Sequence, residues 1–336
     1  MDLKTLTEIN APSGHEQAIR RFLLDELKKL GFAPVLDRMG NVVVVKEGTG
    51  DAPRKRVMVS AHMDEVGLIV TSATEDGYLR IAAAGGIDPR VLVSKRVTVG
   101  EDKLPGVIGA VPIHLQSAAE RKHVLSMDEL LVDIGAKNKD EAERKAPMGT
   151  YISFDTHYVE YGDGFACGKA FDDRVGCLSL LRLLQEELPV DLVACFVSEE
   201  EVGCRGAKGA AFQQEPDIGI VLEGTTCNDL GDVPETAHVC EAGQGVAVSF
   251  MDGASIANRA LFRKALDVAK QENIPHQVKH SVSGGNDGGA IQRAREGVPV
   301  VVLSVPCRYI HSPSSVVKLS DVESQFALVK ALVKAL

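Results

Sequence analysis

Short apolar runs alternate with amphipathic helical stretches near both ends of the chain, and a β-rich block interrupts them. This alternation limits the fold more than any other feature. Strands that are apolar throughout need cover on both faces, and intervening helices supply it. At the start, Leu3, Leu6 and Ile9 share a helical face before Asn10-Ala11-Pro12 breaks it. Ser13 and Glu16 have capping-box spacing for a second helix, which carries Phe22, Leu23, Leu27 and Leu30 inward and stops at Gly31. Strands are expected at 41–46 and 56–60. From about residue 170 the pattern resumes: helix 175–188, strand 192–197, helix 207–213, strand 218–222, helix 258–272, strand 276–280, helix 287–295, strand 298–305 and a helix from Asp321. Between them, β-like runs at 67–71, 78–82, 91–99, 107–110, 130–134 and 150–154 are punctuated by Gly and Pro, with one helical stretch at 138–145. That spacing suggests a small barrel or sandwich. The expected organisation is an α/β domain formed by 1–66 plus 164–336, interrupted by a β-rich insert at 67–163.

The 37 basic and 47 acidic side chains give a formal net charge of −10, which argues against nucleic-acid partners and anionic membrane surfaces. No apolar run approaches the ~18 residues of a membrane span, and the first residues lack the apolar core of a signal peptide. Seven cysteines, an odd number without CxxC pairs, fit reduced thiols in a cytoplasmic protein.

His, Asp and Glu gather where the apolar strands end, which is where open α/β sheets place their sites. Ser60-Ala61-His62-Met63-Asp64-Glu65 puts His and Asp on one side of a strand end, where the Asp can orient the imidazole. Alone, this is equally a buried hydrogen-bonded pair. Asp172-Asp173 opens a helix and could merely cap it. Glu199-Glu200-Glu201 follows an apolar strand, and adjacent carboxylates repel unless cations neutralise them or water solvates them. Glu223 ends another strand, and His311 precedes Ser312-Pro313 in a loop. Each has a bland explanation. Together they offer two imidazoles and three carboxylates, one bridging, which suit a pair of zinc-like ions, with a further carboxylate left as general base. Cys227 could join as a ligand, or be a buried small residue.

The stretches Ala11-Pro12-Ser13-Gly14-His15-Glu16, Ala61-His62-Met63-Asp64-Glu65-Val66-Gly67, Phe171-Asp172-Asp173-Arg174, Glu200-Glu201-Val202-Gly203, Arg205-Gly206-Ala207 and His311-Ser312-Pro313 run nearly end to end. In order and spacing the chain resembles the TET or glutamyl aminopeptidases, cytosolic two-metal exopeptidases. The resemblance implies a three-layer α/β/α zinc-exopeptidase-like domain with a mixed sheet, interrupted by a small PDZ-like β-barrel that mediates dimerisation. It implies two divalent ions per subunit, zinc, cobalt or manganese, and peptide substrates cleaved at the N-terminus. His62 would bind one metal and His311 the other, with Asp172 bridging and a cis bond to Asp173. Glu201 would share the His311 metal, Glu200 would be the general base, and Asp64 would orient His62. Glu223 stands where the best-known members have Asp, and would bind the same metal through a longer arm. Asp287, in Ser283-Gly284-Gly285-Asn286-Asp287-Gly288-Gly289, matches an acid that supports the site or faces the substrate. Relatives assemble from dimers into tetrahedral dodecamers. Rival readings are a two-metal amidase or deacylase acting on small molecules, a glycoside hydrolase using the Glu199–Glu201 carboxylates, and a non-catalytic scaffold. Aromatic residues are only 4% of the chain and Trp is absent, so platforms for sugars are few.

Overall fold

A computed structural model describes residues 2–336. The apolar runs form a mixed 11-stranded sheet. Its centre is built from the strands Val42–Lys46, Asp191–Val197, Arg56–His62, Ile218–Thr226 and Val300–Arg308, neighbours in that order. The last four run parallel and Val42–Lys46 is antiparallel to Asp191–Val197. Successive side chains point to opposite faces of a strand, so these runs serve two cores. Val57, Val59, Leu192, Ala194, Phe196, Ile220 and Leu222 pack with helices Gln17–Lys29, Phe171–Leu183, Arg259–Gln271 and Leu319–Lys334. Met58, Val193, Cys195, Val221 and Val302 face helices Arg205–Gln214 and Asp287–Gln292. Each Leu or Val buried this way contributes roughly 1.5–3 kcal/mol. The result is three layers.

The β-rich block closes into a barrel of strands Gly67–Ala73, Leu79–Ala84, Leu131–Asp133, Leu104–Gly109, Arg96–Val99 and Tyr151–Phe154. Leu68, Val70, Ile81, Val97, Val99, Ile108, Val132 and Ile152 fill it. The run read as one strand at 91–99 is divided. A 3-10 turn at Pro89–Val91 precedes the strand Arg96–Val99, and Ser94 between them takes a φ of 66°. The helix Lys139–Lys145 is capped by Asn138, whose side chain accepts from the Glu141 amide.

Other expectations are corrected. Ser13 and Glu16 form no capping box: Ser13 Oγ donates to Asp64 Oδ2 at 2.6 Å, and Glu16 accepts from the Gly14 amide at 2.6 Å. Leu30 is 38% exposed, because the helix ends at Lys29 and the chain turns at Gly31. The strand expected to stop before Glu223 continues to Thr226, held by parallel pairing to Val300–Arg308. Strands at Phe165–Gly168, Val246–Ser249 and Ser315–Lys318 were not expected, and Val159–Tyr161 pairs in the main sheet although it falls within 67–163. The chain leaves for the barrel just after His62 and returns along Phe165–Gly168, just before Asp172. Among the described residues, no helix is long and apolar enough to cross a membrane.

Candidate metal centre

The four parallel strands deliver their carboxyl ends to one place. His62 closes its strand, fully buried, with Nδ1 3.2 Å from the Asp64 carbonyl and 3.4 Å from Asp64 Oδ1. An Nδ1 proton shared with those oxygens leaves Nε2 as the free ligand atom. That Nε2 lies 3.3 Å from Asp172 Oδ1 and 3.5 Å from Glu223 Oε2. His311 follows the strand Val300–Arg308, with Nε2 3.2 Å from Glu201 Oε2 and 3.6 Å from Asp172 Oδ2. Asp172 therefore turns one oxygen to each imidazole. His311 is the open member, with its side chain 41% exposed against 0% for His62.

Asp64 is the hub beneath this set. It accepts from the amides of Glu200 at 3.1 Å and Glu201 at 3.2 Å, and from Ser13. One carboxylate thus fixes both the imidazole and the turn carrying two further acids. Asn41 holds the other end of that turn, accepting from the Ser198 amide at 2.9 Å. The peptide between Asp172 and Asp173 is cis. Asp173 does serve as a cap, accepting from the Gly176 amide at 2.9 Å and the His62 amide at 3.2 Å. The plain reading of the Asp pair holds for Asp173, and Asp172 is the one that faces the imidazoles. Gly224 donates its amide to Asp172 Oδ1 at 3.0 Å, and a Cβ there would meet the Asp172 side chain at 3.0 Å. Glycine permits that approach.

The electrostatics are lopsided. Asp64, Asp172, Asp173, Glu200, Glu201, Glu223 and Asp287 converge, and among the described residues no Lys or Arg side chain pairs with any of them. Burial pushes the Glu201 carboxyl up to about 8 and Glu223 to about 7. Desolvation also raises Glu200 and Asp287 well above the usual carboxyl range. Burial opposes the imidazolium of His311, but Asp172 and Glu201 outweigh it and raise the pKa to about 9. Asp172 likewise resists burial through the two imidazoles, which keep it below the ordinary carboxyl range. Glu223 Oε1 and both Asp287 oxygens are buried without a hydrogen-bond partner. Buried carboxylates normally require compensation. Imidazole and carboxylate donors with surplus negative charge fit divalent cations of the zinc, cobalt or manganese type. His62 forms potential metal-holding groups with Asp173 and Glu223 and with Asp172 and Glu201.

The sequence profile of the M42 glutamyl aminopeptidases matches residues 40–328. The chain belongs to this family. Its M42 relatives include a lysyl aminopeptidase of Pyrococcus furiosus, 33% identical over 99% of this chain and 96% of the relative. A glutamyl aminopeptidase of Lactococcus lactis is also 33% identical, over 99% of this chain and 95% of its own length. Among solved structures, the Pyrococcus horikoshii TET1 peptidase, which can assemble into a tetrahedron or a large octahedral shell, superposes with a TM-score of 0.87 at 33% identity, covering 99% of this chain and 98% of that one. The protein is thus an aminopeptidase, from a metal-dependent family of peptide-bond hydrolases.

In this M42 chain, Asp287 is fully buried at the start of the helix Asp287–Gln292, deeper than Glu200. Its carboxylate presents no open face. Cys227 stays with Cys240 and Ala247 in a small apolar cluster, outside the groups that could hold a metal. Two residues not expected at the site also join it: Ser13, which donates to Asp64, and Cys204, whose thiol donates to Glu200 Oε1 at 3.3 Å. Ser13 is far from Asp64 in sequence, so no local spacing could reveal it. Cys204 is one helical turn after Glu200, and that spacing was a usable signal.

Proposed function

We propose that this aminopeptidase uses two divalent ions, one held by His62, Asp172 and Glu223 and the other by His311, Asp172 and Glu201, with Glu200 as general base. The observation that carries the reading is the division of the Asp172 carboxylate, Oδ1 toward His62 and Oδ2 toward His311. Bound ions would polarise the scissile carbonyl and lower the pKa of the attacking water. Glu200 takes the proton from that water and returns it to the leaving amine. Desolvation raises the Glu200 pKa, which makes its carboxylate a stronger proton acceptor. Asp64 keeps that carboxylate in place through the Glu200 amide. The substrate's free α-amine sits against the acidic cluster, which restricts cleavage to the N-terminus.

Peptides reach the site past His311, where a cavity of about 520 Å³ opens between the 309–314 loop and barrel residues Asp88, Arg90 and Lys95. Residues 1–66 plus 159–336 form the catalytic unit, since Val159–Tyr161 pairs in the main sheet, and the barrel block between them is the dimerisation unit of a larger tetrahedral shell. Exposed Val111, Ile113, Leu115 and Val124 on the insert support that assignment. Free cysteines support a reducing, cytoplasmic setting, and the acidic balance supports the absence of nucleic-acid and membrane partners. The test is hydrolysis of aminoacyl-p-nitroanilides after chelation and reloading with zinc, cobalt or manganese. The reading expects activity restored by metal on free N-termini and none on blocked ones. Activity that survives chelation, or equal turnover of blocked substrates, counts against it.

A further inference from the structure

We propose that Glu200, Cys204 and Asp287 form a third cation site, for a thiophilic divalent ion such as zinc or cadmium, separate from the His62 and His311 positions. One ligand atom from each of the three residues lies within 4.8 Å of the others. Glu200 and Cys204 sit in the turn between the strand Asp191–Val197 and the helix Arg205–Gln214, and Asp287 enters from a different element. The Cys204 thiol points into the group, donating to Glu200 Oε1 at 3.3 Å.

Asp287 is the independent observation. Its relative exposure is 0% and neither carboxylate oxygen has a hydrogen-bond partner. A buried carboxylate with four unused lone-pair positions, beside a second carboxylate and a thiol, is a donor set lacking only its acceptor. Oxygen-only clusters suit hard cations, whereas a thiolate shifts preference to zinc, cadmium and other soft ions. On binding, the thiol releases its proton to solvent as the sulfur–metal bond forms, and no electrons are exchanged. Glu200 then spends its lone pair on the ion and cannot accept a proton from water. Occupation of the site stops turnover, a consequence that rests on Glu200 being the general base. The five side chains proposed to hold the two other ions include no cysteine. A sulfur signal that is lost with Cys204 therefore reports this site, because the other six cysteines remain in the variants.

The experiment titrates metal-free protein with cadmium, following the near-ultraviolet sulfur-to-cadmium charge-transfer band alongside equilibrium dialysis. The band is expected to be absent through the first two equivalents, to grow with the third, and to be missing in Cys204→Ala and Cys204→Ser. In parallel, enzyme holding two zinc ions is assayed with added zinc. Half-inhibition is expected to need at least tenfold more zinc in both variants than in the wild type. Binding that stops at two equivalents, or a band that persists in both variants, overturns the site. A third, Cys204-dependent equivalent that leaves turnover intact supports the site and removes Glu200 from the base role instead.

Discussion

Asp172 concentrates the chemistry at the residue scale, because its two oxygens serve different imidazoles. Asp172→Asn is expected to lower the affinity for both ions together, whereas Glu223→Gln weakens chiefly the ion beside His62. Metal analysis after dialysis checks this, and full content in Asp172→Asn would contradict it. Glu200→Gln should keep both ions and lose roughly 10²–10⁴ in turnover, the usual range for general acid–base assistance. Near-normal turnover would remove the base. The pH dependence of loading follows from His311. Its pKa in metal-free protein is raised to about 9, so at neutral pH the imidazole carries a proton that must leave before the nitrogen can bind metal. Metal uptake near pH 7 is therefore expected to release protons, with release from this group fading as pH rises through about 9. Calorimetry in buffers of different ionisation enthalpy measures it, and zero net release at neutral pH would count against the assignment. His62, Glu200, Glu201, Glu223 and His311 were legible in the sequence because each lies in or just past an apolar strand, whereas Asp172 and Asp287 open helices. Which carboxylate faces which imidazole was implied only by resemblance, since it depends on side-chain directions across four strands.

At the scale of elements, a buried ion pair ties the N-terminal segment to the site. Lys169 Nζ lies 2.7 and 2.8 Å from the Glu65 oxygens, and Glu65 Oε1 also accepts from the Ala11 amide at 2.8 Å. Both side chains are only 3% exposed. Lys169→Met leaves the Glu65 charge buried and unpaired, a change that costs about 3–5 kcal/mol. Urea unfolding of the metal-free protein tests this, and a loss below about 1 kcal/mol, the scale of an exposed pair, would contradict it. The same docking explains why the Ser13–Glu16 spacing misled. Ser13 turns its hydroxyl to donate to Asp64, which carries the oxygen away from the helix amides it would otherwise accept from. Long helices and central strands were readable from periodicity. Short strands such as Ser315–Lys318 and Val246–Ser249 were not, because they exist through pairing with distant strands rather than through local pattern.

On the scale of the whole molecule, the barrel hangs between the His62 strand and the Asp172 helix. Strand spacing alone fits a barrel or a sandwich, because strand order is set by long-range pairing that spacing does not encode; the resemblance implies the barrel that forms. Ile113 and Leu115 are 67% and 70% exposed. Replacing both with Asp should shift the protein to smaller species in light scattering without lowering its metal content. An unchanged mass would place the contacts between copies elsewhere.

The most direct measurement is an anomalous difference map from crystals loaded with two equivalents of zinc. Two peaks are expected, one among His62, Asp172 and Glu223 and the other among His311, Asp172 and Glu201, with Asp172 touching both. A single peak, or a second peak away from His311, would contradict the two-ion centre.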